Sequence, residues 1–145
     1  MFKLKQTLIG LVSLSQMTFE LPLTMEFISN DDTKEIENVE LKNLFLKLKS
    51  EISFLNTISD YARNQYQNLI EPYVVNNLNY AEIQMETTIN VGNNIKYSEL
   101  LKDLKLSNIL NLKLETDVQS LKQLKELNLT LKYLKQGIQQ EINKK

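Results

Sequence analysis

The chain has 145 residues, 42% apolar and 24% charged, with seventeen basic residues against eighteen acidic ones. That length fits one ordinary domain. The balanced charge creates no overall field for a polyanion, so nucleic acid is not an expected partner. With no Cys and no His, this chain alone supplies no thiol or His-dependent nucleophile system, no dithiol redox pair and no Cys/His zinc site. Carboxylate-only and Mg²⁺ chemistry stays open. Gly10, Gly92 and Gly137 stand apart and build no phosphate loop.

In chain order, residues 1–17 read MFKLKQTLIGLVSLSQM, with Lys3 and Lys5 ahead of a short apolar run and no acid before Glu20. Two readings compete: an amphipathic helix packing Leu4, Leu8, Leu11 and Val12, or a secretory or transit segment. The run is short and serine-interrupted, which favours the packed helix. No stretch approaches the roughly 18 apolar residues of a membrane span.

TFELPLTMEF, residues 18–27, alternates Phe19, Leu21, Leu23, Met25 and Phe27. It reads either as a strand or as a helix opening with Pro22 at its first position. The alternation favours the strand, with Pro22 on an edge where its missing donor is harmless. NDDTKEIENVE then carries helix-start chemistry, because Asp31 or Asp32 can cap free N–H groups and Glu35 and Glu37 suit the positive helix end. A long helix is expected over 32–71. Its seam runs Leu41, Phe45, Leu48, Ile52, Leu55, Ser59, Ala62, Tyr66 and Leu69 at steps of four and three, as in a coiled coil or long bundle helix. Leu44, Leu46 and Ile58 lie off that seam. Pro72 is expected to end or kink the helix.

Residues 82–91, within IQMETTINVGNN, alternate and carry β-branched side chains before a Gly-Asn-Asn turn, so a strand is expected. A short helix over roughly 97–106 follows, by the apolar spacing, and ILNLKLE then alternates Leu110, Leu112 and Leu114. The last element, expected over 119–143, places Leu121, Leu124, Leu131, Leu134, Ile138 and Ile142 at helical spacing, although Asn128 and Thr130 compete there for backbone hydrogen bonds. LKDLKLSNIL and LKELNLTLKYL mimic a leucine-rich repeat, but two units close no solenoid core.

Three constellations are candidate sites. Asp31, Asp32 and Glu35 form either a hard-cation site or a helix cap, and the cap is favoured. Tyr66, Tyr73 and Tyr80, seven apart, form either a stacking ladder for bases or buried packing, with packing favoured. The sequon Asn128-Leu129-Thr130 matters only in a secreted chain.

The order of features (a Leu-rich N-terminal helix, an ELP joint, ISDYARNQYQNLIEPY, then YSELLKDL with NLKLE and spaced leucines) resembles a family of small phage-encoded proteins of unknown function. The resemblance implies a role within a phage programme and transfers no functional residue. The expected architecture is a single domain over 1–145, mainly α with a small β component (α+β): a long central helix, a C-terminal helix and two or three short strands. Functionally, the residues point to a non-enzymatic interaction protein, a subunit or modulator of a larger assembly. It would engage a protein partner or itself through Leu41, Leu44, Phe45, Leu48, Ile52, Leu55, Ile58, Leu124, Leu131, Leu134 and Ile138. No cofactor, metal or catalytic residue is expected, and the location would be cytoplasmic or virion-associated. The alternative is a mitochondrial or secreted accessory subunit addressed by its Lys-bearing N-terminus.

Overall fold

Two side-chain caps set where the long helices begin. Asn38 accepts the Leu41 N–H at 3.1 Å, and Asp103 accepts the N–H groups of Lys105 and Leu106 at 2.8 and 3.1 Å, each satisfying donors that a first helical turn leaves unpaired. The computed structural model describes residues 2–13, 20–30, 32–83 and 94–144, with the backbone alone at Phe2 and Asp32. The elements are α1 (Phe2–Val12), α2 (Pro22–Ser29), a 3₁₀ turn (Asp32–Glu35), α3 (Val39–Gln65), a π turn (Tyr66–Ile70), α4 (Glu71–Asn77), α5 (Tyr80–Ile83), α6 (Tyr97–Leu100) and α7 (Leu104–Asn143).

The described residues contain no strand, which overturns the mixed α+β expectation. Pro22 opens α2 at its first position, where its fixed φ suits a helix and its missing N–H costs nothing. The helix then closes through the Met25 N–H to the Leu21 carbonyl at 2.8 Å. ILNLKLE lies inside α7. Its leucines alternate, but Leu is a strong helix former and the segment has only one β-branched residue, so spacing by two did not decide its structure. The proposed strand at 82–91 lies outside the described residues from 84 onward, and Glu82 and Ile83 finish α5. The acidic 32–35 segment is a 3₁₀ turn and not the start of the long helix, which begins at Val39 behind the Asn38 cap.

The chain divides into two compact units: Met1–Gln16 with Asp60–Asp117, and Met17–Ser59 with Val118–Lys145. The core of the first collects Leu8, Leu11 and Val12 of α1, Ile70, Tyr73, Val74 and Leu78 around α4, Ile83 of α5, and Leu106 and Ile109 of α7. Its α3–α7 contact is polar: the Gln65 amide donates to the Leu112 carbonyl at 3.5 Å, and the Thr116 hydroxyl lies 3.2 Å from Gln65 Oε1.

In the second unit α3 and α7 run antiparallel. Asn38 meets Glu141, a Cβ on Gly137 would lie 3.1 Å from Leu41, and Glu51 meets Thr130, so one helix is read upward as the other is read downward. Leu41, Leu48, Ile52 and Leu55 bury against Leu127 and Leu134. Met25 of α2 and Ile36 pack on the same core, and Phe27 of α2 meets Phe45 at 5.3 Å between ring centroids.

Pro72 neither ends nor sharply breaks the helical path. A regular α-helix would press its ring on the Asn68 carbonyl. Instead the turn before it widens, and the Glu71 N–H donates to the Tyr66 carbonyl five residues back, the π pattern that relieves such a clash. The extra residue shifts the inward face: Gln65 and Ile70 are buried five apart, while Leu69, the expected seam position, is 40% exposed.

Candidate functional site

Among the described residues, two concave regions and one outward helix face present chemistry. In the first unit, a hollow of about 320 Å³ is bordered by Tyr73, Asn77, Lys96, Glu99 and Asp103. The buried Tyr73 hydroxyl donates to Asp103 Oδ2 at 2.6 Å. Burial, then the hydrogen bond to Asp103, push the tyrosine well above its ordinary range. The same bond, with help from the Leu106 N–H, holds the Asp103 carboxyl below the usual carboxylate range. Each group therefore fixes the other's protonation state, and neither is poised to exchange a proton near neutrality. The pair is a latch between α4 and the start of α7. Nearby, the Ile95 N–H donates to Glu82 Oε2 at 2.6 Å, and burial followed by Glu82 raises the Tyr97 hydroxyl.

In the second unit, a groove of about 480 Å³ follows α3 and α7, lined by Asn38, Asn43, Gln136 and Gln140 together with Leu41, Leu44 and Gly137. Glu51 sits close to this core, 6% exposed. Its Oε1 accepts the Thr130 hydroxyl at 3.0 Å and lies 3.6 Å from the Lys47 ammonium, while its Oε2 has no hydrogen-bond partner. An uncompensated buried carboxylate oxygen is costly. Set between apolar rows, this polar rung marks one register of the two helices.

The residues expected to form an interface mostly form this chain's own core. Leu41, Leu48, Ile52, Leu55, Ile58 and Leu134 are buried, and Leu44, Phe45 and Leu124 pack partly buried against the same cluster. Leu131 and Ile138 remain exposed. Of the off-seam residues, Leu46 does face water, whereas Ile58 is buried and Leu44 is half-covered.

The tyrosine ladder is not assembled: Tyr73 is buried, Tyr66 is half-buried and Tyr80 is exposed. The sequon lies mid-helix with Thr130 at 0% exposure, its hydroxyl committed to Glu51. At the Asp31, Asp32 and Glu35 cluster, Asp31 and the Asp32 side chain lie outside the described residues. No group of three or more His, Cys, Asp or Glu able to hold a metal occurs among the described residues.

Sequence reasoning missed the outward face of α7. Val118, Leu121 and Leu129 are 55%, 54% and 44% exposed. At about 100° per residue they point away from the side carrying Leu127, Thr130 and Leu134. By the same period Leu131 and Ile138 lie on the packed side, exposed at its margin. The outward stripe was legible as apolar residues at 118, 121 and 129, none of which was among the expected interface residues. Among the described residues, no helix is long and apolar enough to cross a membrane. Compared with protein-family models, curated proteins and solved structures, the chain matches none.

Proposed function

We propose that the chain is a non-enzymatic interaction protein, a subunit or bound modulator of a larger assembly. One observation carries this reading: Val118, Leu121 and Leu129 hold an apolar stripe on α7 in water while the opposite side of the same helix is already packed. Exposed apolar stripes on soluble proteins mark interaction surfaces, and steps of three and eight keep these residues on one side of the helix. Burial of Leu8, Leu11 and Val12 in the first unit's core supports an N-terminal helix that stays with the protein, since its removal would open that core. This weighs against the targeting-segment reading.

The test is affinity capture from the native source with the full chain and with a Val118→Asp/Leu121→Asp variant as parallel baits. The expected result is a protein retained by the first and lost from the second at equal helix content. Baits that recover the same proteins, or none, would count against the reading.

A further inference from the structure

We propose that the outward face of α7 binds a second copy of this chain, taking that copy's acidic segment between Glu20 and Glu40. This names a partner for the interaction surface and rests on the reading above.

Two unsatisfied and opposite patches occur in one compact unit. On α7, the exposed lysines Lys122, Lys125, Lys132 and Lys135 are interleaved with the exposed Val118, Leu121 and Leu129. Lys125 and Lys132 lie on the same side as that apolar stripe, by the helix period. None of the four makes an ion pair among the described residues. Residues 20–40 hold seven acids against the single Lys34. Of these, Glu20, Glu26, Glu35, Glu37 and Glu40 are exposed and also without an ion pair among the described residues. They too are mixed with exposed apolar side chains: Leu23 is 81% and Val39 67% accessible.

Each patch therefore offers what the other lacks, a charge of opposite sign set among apolar groups of similar kind. Within one copy no ion pair joins the two among the described residues. A two-fold pair would make the contact twice, each copy giving its acidic segment and receiving on its lysine face. The formal net charge of −1 leaves little long-range repulsion between copies. A nucleic acid or an anionic membrane would match the lysines but leave the acidic segment without a partner, which is why a second copy is preferred.

The test is sedimentation velocity on the full chain at concentrations up to about 0.1 mM. It is run in about 0.1 M and about 1 M salt, between which the screening length falls from about 10 to 3 Å. The expected result is association in low salt that weakens about tenfold or more in high salt. Lys125→Glu/Lys132→Glu and Glu35→Lys/Glu37→Lys should each be monomeric, with unchanged circular dichroism because all four positions are exposed. Mixed together, the two variants should associate again, because every reversed contact is matched.

A monomeric wild type, association indifferent to salt, or reversal variants that fail to recombine would overturn the proposal. A monomer that still captures a protein through Val118 and Leu121 would overturn self-association and leave the interaction reading standing. Loss of that capture as well would remove both.

Discussion

The two units solve the same problem, covering one stretch of α3 and one stretch of α7, by different means. The second unit uses period: Leu41, Leu48, Ile52 and Leu55 recur on one face of α3, meet Leu127 and Leu134 of an antiparallel α7, and receive α2 on the side of Phe45. The first uses irregularity. Its core is gathered from short segments, its inward face is reset by a π turn, and its α4–α7 junction is latched by Tyr73 and Asp103. Regular spacing suffices when two long helices pack side by side. Where a Pro interrupts the path, position in the turn matters more than period.

The largest test of this contrast is Leu48→Asp, which puts a charge into the second unit's core. Truncation alone at such a site costs about 2–5 kcal/mol, and the buried carboxylate adds to it. Hydrogen exchange should show residues 41–59 and 118–143 losing protection first. Equal loss over Ile70, Tyr73 and Val74 would mean that the units unfold as one and the distinction between them is only geometric.

A smaller effect is expected at the polar rung. Thr130→Val leaves the buried Glu51 carboxylate with only Lys47 near it and should cost about 1–3 kcal/mol. Glu51→Leu with Thr130→Val removes both partners and should be near neutral or stabilising. Chemical denaturation of the two single variants and the double gives the coupling directly. An additive result would show that the rung does not join the helices energetically.

What was legible in the sequence follows the same division. The heptad spacing at 41–55 located the buried face of α3 because nothing local disturbs it. The first unit resisted because its governing residues act through single interactions: Pro72 through a carbonyl clash, Asp103 through two backbone N–H groups and one phenol. Neither leaves a periodic trace. The false strands have another cause. In Leu-rich sequence every second residue is often apolar by composition, so alternation at 21–27 and 110–114 carried little information, while Pro22 at a helix start carried much. An apolar seam does not say whether its partner is in the same chain, and most of this one packs within the chain.

pH should separate the units at the extremes and leave them alike in between. With no His in the chain, no side chain has an ordinary pKa between about 5 and 8, and stability should be nearly flat there. Asp103 is held below its ordinary 3.8, so its contribution is present above that value and is lost as pH falls through the folded value. Tyr73 is raised above its ordinary 10.0. The unfolded tyrosine then ionises first, and stability declines as pH climbs beyond about 10. Tyr73→Phe should reduce both limbs, leaving on the alkaline side the part carried by Tyr66 and Tyr97 and on the acid side the part carried by the Leu106 and Lys105 N–H groups. Asp103→Asn should remove its share of the acid limb, read from melting temperature against pH. A wild-type transition near pH 6 would point to an ionisable group outside this latch.

The smallest expected effects come from the helical glycines, one in each unit. Gly10 lies in α1 with nothing within 4 Å of a Cβ built on it, whereas the same atom on Gly137 would sit 3.1 Å from Leu41 Cδ1. Replacing a helical glycine by alanine is worth about 0.5–1 kcal/mol, because the unfolded chain loses more freedom and the helix gains a better former. Gly10→Ala should show that gain in full, since no neighbour has to move. At Gly137 the same gain is opposed by the Leu41 methyl, which must yield by a few tenths of an ångström inside a packed core. Gly137→Ala is therefore expected to change stability by less than about 0.5 kcal/mol. Paired thermal melts decide it: a Gly137→Ala gain equal to that at Gly10 would show that α3 and α7 are not held close at Leu41, and the antiparallel packing of the second unit would be looser than its hydrogen bonds imply.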